Sequence, residues 1–332
     1  MSIAAKFIAA AVSATAMVAV TSVAANPLEK TECIAPAKPG GGFDLTCKLA
    51  QSALQDGKYI DNPMRVTYMP GGIGAVAYNT VIAQRPDDAH AIVAFSGGSL
   101  LNLAQGKFGR YSENDVRWLA AIGADYGAVV VADSSPYKSL NDVLAAMKAD
   151  PTKVVLGAGG TVGSQDWMKA ALVARAGGVN PKTMRYVAFE GGGEALTALQ
   201  GGHIHVYSGD AAEAMQQIKA GAKVRILAVM NDKRLPGDMA DVPTAVEQGF
   251  DVQWAIIRGF YVGPKVSDAD YKVWADTFAK MMATPAYDKL RSDRGLFPLA
   301  MTGAPLDAYV KKQVGEYRKL AEEFGLNVVP AK

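Results

Sequence analysis

The stretch Pro39-Gly40-Gly41-Gly42-Phe43-Asp44-Leu45-Thr46-Cys47 sits between a short apolar run, Cys33-Ile34-Ala35, and an amphipathic segment from Leu45 to Gln55. This order predicts a strand, a glycine loop and a helix. Glycines lack a Cβ and let a guest approach the backbone closely. The helix behind them offers unpaired N–H groups and the positive end of its dipole, so the guest that suits such a turn is an anion. Asp44 stands where a helix N-cap belongs. Plain strand-to-helix turns share the pattern, and the loop alone does not choose between the two readings.

The same alternation continues outward. Strands are expected at Arg65–Tyr68, Ala91–Phe95, Ala128–Val131, Lys153–Leu156, Met184–Phe189, Ile204–Tyr207, Val224–Val229 and Ala255–Val262. Helices are expected at Gly74–Gln84, after Ser139 with Asp142 in its first turn, from Ser164 through Arg175, at Glu194–Gln200, at Asp268–Met282 and at Leu306–Phe324. Alternation of this kind predicts an α/β fold with largely parallel sheets. Glycine clusters at 40–42, 97–98, 157–160 and 191–193 each follow a strand. Ligands of open α/β sheets bind outside the carboxyl ends of the strands, so the clusters predict a cleft walled by backbone amides and small side chains.

The N-terminus sets the compartment. Lys6 is the only charged residue before Glu29, an apolar run from Phe7 reaches Val20, and Val23-Ala24-Ala25 offers a small-residue cleavage site before Asn26. Residues 1–25 therefore read as a secretory signal peptide, with an uncleaved anchor as the alternative. Cleavage leaves about 307 of the 332 residues, enough for one large domain or two lobes. The whole chain has 34 basic and 32 acidic residues, a balance that argues against a nucleic-acid partner. Its two cysteines, Cys33 and Cys47, lie on the strand before the loop and the helix after it. In an oxidising compartment they could pair and pin the ends of the loop; two buried free thiols are the alternative. Three scattered histidines and the absence of C-x-x-C or H-E-x-x-H spacing give no metal site.

Enzyme readings are weak. Gly157-x-Gly159-x-x-x-Gly163 follows a strand, opens a helix and precedes a strand ending at Glu190, which imitates a dinucleotide fingerprint. Its spacing departs from that fingerprint, it lies mid-chain, and an exported protein rarely meets the cofactor; no cofactor is expected. Gly97-Gly98-Ser99 lacks a full nucleophile elbow. Asp210 and Glu213 could form a carboxylate pair, although helix starts attract acids anyway. Arg258 is a charge inside an apolar strand, either a half-exposed position or a fork for a ligand carboxylate.

The chain resembles the solute-binding proteins of tripartite tricarboxylate transporters. The resemblance rests on Pro39 to Asp44, Pro70-Gly71-Gly72-Ile73-Gly74-Ala75, Arg85-Pro86-Asp87-Asp88, and Glu190 to Leu196. Leu199-Gln200-Gly201-Gly202, Lys233 to Pro236 and Asp241-Val242-Pro243-Thr244 complete it, over nearly the whole mature chain. Glu32 to Pro36 followed by the glycine loop looks like the tricarboxylate-binding branch. The resemblance implies a type II periplasmic binding protein, with lobes 26–126 plus 249–332 and 127–248 closing about a hinge. It implies a ligand carboxylate held by Gly41, Gly42, Phe43 and Asp44 from one side and by Gly191, Gly192, Gly193 and Glu194 from the other. Thr161, Gly163, Ser164 and Gln165 are expected to line the cleft, with Ser96, Ser99 and Arg258 assisting.

The sequence departs from the family pattern at Trp167, where many members have histidine, at Phe189-Glu190-Gly191 in place of Tyr-Lys-Gly, and at Cys47-Lys48 in place of Ala-Arg. The expected protein is a periplasmic monomer without catalysis. It captures citrate or another tricarboxylate and delivers it to a membrane permease of one large and one small subunit. A carboxylate sensor presenting its ligand to a signalling receptor, and a secreted α/β enzyme, are the alternatives.

Overall fold

An all-buried run and the amphipathic segment after it set the first unit, β1 (Glu32–Ala35) and α1 (Gly42–Asp56). The computed structural model describes residues 26–329, so the expected signal peptide at 1–25 lies outside the described residues. The chain continues through β2 (Arg65–Tyr68), α2 (Ala75–Gln84), β3 (Ala91–Ser96) and α3 (Gly97–Ala104) to a long strand, β4 (Arg117–Ala132). There follow α4 (Leu140–Ala149), β5 (Val155–Gly159), α5 (Gln165–Ala176), β6 (Arg185–Phe189), α6 (Gly192–Gln200), β7 (Val206–Asp210), α7 (Ala211–Lys219) and β8 (Val224–Val229). The last part is β9 (Ala255–Val262), α8 (Asp268–Met282), α9 (Pro285–Asp293), β10 (Met301–Thr302) and α10 (Ala304–Glu323).

The strands form two sheets that share β4. Strands β2, β1 and β3 run parallel, and β9 joins them antiparallel to β3. Strands β6, β5 and β7 also run parallel to one another. Arg117–Tyr126 of β4 pairs with β9, whereas Gly127–Ala132 pairs with β7 and β8, all antiparallel. The sheets are thus mixed rather than largely parallel. A parallel pair needs a crossover, and the helices supply it inside each half; β4 and β9 pass between the halves and run against their neighbours.

The handover is tightly bonded. Gly127 N–H donates to Trp254 O, Trp254 N–H to Met230 O and Met230 N–H to Gly127 O, at 2.7 to 2.9 Å. Alternating glycine and acid (Gly123, Asp125, Gly127) hides this strand from a local reading, which expects only Ala128–Val131.

Apolar side chains fill three clusters, one on either face of the first sheet and one in the second. The first carries Phe95, Trp118 and Tyr261, with edge-on contacts at 4.7 and 5.7 Å. It runs on into the second half through Trp167 and Met168. Helix α10 caps this continuity: Tyr317 stacks on Trp254 at 5.7 Å and Phe324 meets Trp167 edge-on. Cys33 and Cys47 form a disulfide with both residues fully buried, so the free-thiol alternative falls.

Candidate functional site

Two helix starts face each other between the sheets. Helix α1 begins after Gly41 and α6 after Gly191, and neither cap residue has a side chain to satisfy the first N–H groups. A Cβ on Gly41 would lie 3.4 Å from the Gly192 nitrogen, and one on Gly193 only 2.7 Å from Pro39 O. The approach is that of backbone to backbone, which is what absent side chains permit. Asp44 is not the N-cap. Gly41 takes that place, and Asp44, at the third helical position, accepts from the Gly40 N–H at 2.8 Å. The carboxylate also holds Lys48 Nζ and the Tyr68 hydroxyl, each at 2.8 Å, so it braces the loop from behind.

A small deep cavity of about 40 Å³ lies between these starts, lined by Gly41, Gly42, Phe43, Ser96, Ser164, Gln165, Gly191, Gly192 and Arg258 among others. Beside it, sharing Ile73 and Ser164 as walls, is a chamber of about 530 Å³. Lys38, Asn102, Lys107, Thr161, Glu190 and Glu194 line the chamber. Of the expected residues, Asp44, Ser99, Gly163 and Gly193 line neither. The Ser99 hydroxyl accepts from Ser96 N–H while the Ser96 hydroxyl accepts from Gly98 N–H, a reciprocal cap on α3. Gly163 O accepts from Gln105 Nε2 at 2.7 Å.

The floor of the deep cavity is ionic. Arg258 is 2% exposed, neither half-exposed nor free. Its Nη2 donates to Asp125 at 2.8 Å and to Asp210 at 2.5 Å. Lys169, fully buried, pairs with Asp210 at 2.5 Å and Asp166 at 2.8 Å. Desolvation would neutralise any of these alone. Burial does raise Asp125 and Asp166, but Lys169 and Arg258 together hold Asp210 low. Glu213 completes the floor and is pushed up to about 8 by burial and by the charge of Asp210. Three carboxylates, Asp125, Asp166 and Asp210, are therefore paired with two cations, with Glu213 beside them. Sequence leaves Asp210 and Glu213 as either a carboxylate pair or helix-start acids, and nothing local links Asp125 to Arg258, 133 positions away.

Charge in the chamber is divided differently. Lys38 pairs with Glu194 across the gap at 2.9 Å, both partly exposed. Lys107 donates to Val162 O at 3.0 Å. It is solvent-accessible, yet desolvation by the chamber walls lowers it to about 8, with no acid among the described residues close enough to oppose the fall. Asn102 Nδ2 donates to Ile73 O at 3.4 Å, and Oδ1 is buried without a partner. Among the described residues no cluster of histidine, cysteine and acid could hold a metal ion, and no helix is long and apolar enough to cross a membrane.

Residues 49–326 match the family model described as the tripartite tricarboxylate transporter family receptor. The chain is similar to the UPF0065 protein in the gbd 5'region of Cupriavidus necator, 25% identical over 298 residues, 86% of this chain and 85% of that one. Among solved structures it is similar to the periplasmic binding protein BugD, with a TM-score of 0.79 and 19% identity over 90% of this chain and 98% of that one. It is also similar to MatC from Rhodopseudomonas palustris with bound malate, with a TM-score of 0.75 and 19% identity over 89% and 99% of the two chains. At these identities the solved structures establish the fold, that of a periplasmic binding protein.

Proposed function

The chain belongs to the tripartite tricarboxylate transporter receptor family, and from that premise we propose that it captures a small polycarboxylate, citrate or another tricarboxylate, in the periplasm. It works as a monomer and hands the ligand to a membrane permease of one large and one small subunit. The family is one of receptors, not enzymes. The observation that carries the ligand class is the meeting of two glycine-led helix starts, α1 and α6, whose N-cap residues offer no capping side chain, over one cavity. Their N–H groups and dipoles favour negative charge, and Arg258, which also lines the cavity, is already paired with Asp125 and Asp210. One ligand carboxylate is held there by Gly41, Gly42 and Phe43 on one side and Gly191 and Gly192 on the other.

The rest of the ligand extends into the chamber of about 530 Å³, where Lys107, lacking an acidic partner, meets a second carboxylate. Thr161 and Ser164 supply hydroxyls on the way. That MatC was solved with malate, a dicarboxylate, agrees with this class. The lobes are 26–126 plus 249–332 and 127–248, hinged where β4 passes from β9 to β7, and they close on the ligand as a flytrap. Titrating the purified protein with mono-, di- and tricarboxylates by calorimetry tests the reading. Saturable binding that strengthens with a second carboxylate is expected, and no saturable binding to any of them overturns it.

A further inference from the structure

Glu213 lies on the first turn of α7 and is 3% exposed. Its Oε2 accepts from the Gly42 N–H at 2.9 Å, although the two residues are 171 positions apart and stand on opposite walls. Its Oε1 accepts from the Tyr207 hydroxyl at 2.7 Å. A Cβ on Gly192 would lie 1.6 Å from Oε1, and one on Gly41 3.7 Å from Oε2. The carboxylate is therefore wedged between the start of α1 and the start of α6. The protein's own acid occupies the place that the two glycine turns are shaped to offer an anion.

We propose that Glu213 is a proton-dependent gate on the carboxylate subsite. Ionised, it keeps the Gly42 amide for itself and repels a guest carboxylate. Protonated, it turns its O–H toward the guest and gives up the amide, so capture of a carboxylate is coupled to the uptake of one proton by Glu213. The ligand class rests on the function proposed above; the placement of Glu213 does not.

The surroundings explain why one proton is the natural unit. Two carboxylates at hydrogen-bond distance cannot both stay ionised at low cost, and one of the pair titrates high. Tyr207 on β7 faces Glu213 as a donor. Asp210 at the start of α7 and Asp166 on α5 repel its charge, and Arg258 on β9 opposes them. Behind the loop a small cavity brings Asp44 and Lys48 of α1 and Arg294 to its other side. Lys169 and Asp125 act through their pairs with Asp210 and Arg258. Burial and Asp210 together place the Glu213 titration at about 8. Lys107 titrates in the same range and is removed from the comparison by using a Lys107→Met background.

The test pairs calorimetry with the amide signal of Gly42. Citrate and malate are titrated between pH 6 and 9.5 into the Lys107→Met protein with Glu213 or with Glu213→Gln, in buffers of different ionisation enthalpy. With Glu213 present, affinity should fall toward tenfold per pH unit above about 8, and binding there should take up close to one proton. With Glu213→Gln that slope and that uptake should vanish. Separately, in the wild type without added carboxylate, the Gly42 amide shift should titrate near pH 8. Should Glu213→Gln fail to fold, Tyr207→Phe replaces it: loss of the hydroxyl donor destabilises the anion and should move the Gly42 midpoint upward. Binding with a flat pH profile, or a Gly42 amide that ignores pH, overturns the gate. Failure of the wild type to bind any carboxylate at any pH instead overturns the proposed function, and the Gly42 titration still decides whether Glu213 ionises against that amide.

Discussion

At the start of α1, Asp44 reaches back four residues and accepts from the Gly40 N–H at 2.8 Å; at the start of α6, Glu194 reaches back four residues and accepts from the Glu190 N–H at 3.1 Å. Both acids stand at the third helical position behind a glycine cap, where a carboxylate also suits the helix dipole. They differ in what else holds them. The Asp44 side chain is 4% exposed and tied to Lys48 and Tyr68 of its own half. The Glu194 side chain is 38% exposed, and its ion pair, with Lys38, crosses the gap. A disulfide closes the base of the first turn; the second has none. The first turn is held by contacts within its own half, whereas the second shares an ion pair with the first. Under the proposed closure, a turn already held in this way carries less ordering cost on binding.

The largest effects should break the meeting of the two turns. Gly192→Ala puts a methyl into Glu213 and the Tyr207 hydroxyl, and carboxylate affinity should fall by about 1,000-fold, ~4 kcal/mol, in a calorimetric titration. Gly191→Ala, one residue earlier, places its methyl at ordinary contact, 3.4 Å from the Ala37 Cβ, in extended backbone. It should change affinity by less than about threefold, ~0.7 kcal/mol. Equal losses at the two glycines would show that the second turn answers to backbone freedom and not to contact with the floor.

Removing both cysteines, Cys33→Ser with Cys47→Ser, should cost about 3 kcal/mol of stability in urea denaturation, because the bridge closes a short loop. Asp44→Asn should cost about 1 to 2 kcal/mol by the same measurement, since a buried acceptor loses its charge against three donors. Glu194→Gln, exposed and paired with an exposed lysine, should cost less than about 0.5 kcal/mol. A Glu194 effect as large as that of Asp44 would erase the distinction between a self-held turn and a borrowed one.

Lys107→Met should weaken a tricarboxylate by about three- to tenfold and leave a monocarboxylate unchanged. Desolvation puts the Lys107 titration at about 8, so its contribution should be complete near pH 7 and should fade as the pH rises through that value. A monocarboxylate that suffers equally would place Lys107 in the scaffold and not beside the ligand.

Much of this arrangement was legible in the chain. Glycine runs marked the turns because only a side chain's absence allows backbone to meet backbone, and spacing across the first turn left Cys33 and Cys47 able to pair. Helix caps at Ser139 and Ser164 follow from local bonds that local sequence encodes. What stayed hidden is long-range. Arg258 looks like a charge misplaced in an apolar strand, and Asp125 lies outside the expected strand, until the register of β4 on β9 brings them together. Asp44 looked like a cap because the loop offered no other polar residue; Gly41 caps instead, and the acid serves one turn later. Asn102 on α3 and Lys107 just after it line the chamber, a position set by packing that periodicity does not report.

The central claim is that two glycine-led helix starts hold a ligand carboxylate through backbone amides. Calorimetric titration of the wild type near pH 7 with a carboxylate that binds, and with its neutral carboxamide analogue, tests it most directly. Saturable binding of the acid is expected, with a loss of at least about 100-fold, ~2.7 kcal/mol, for the amide, which brings no charge to the two dipoles and presents N–H groups where acceptors are needed. Equal affinity for acid and amide would contradict it.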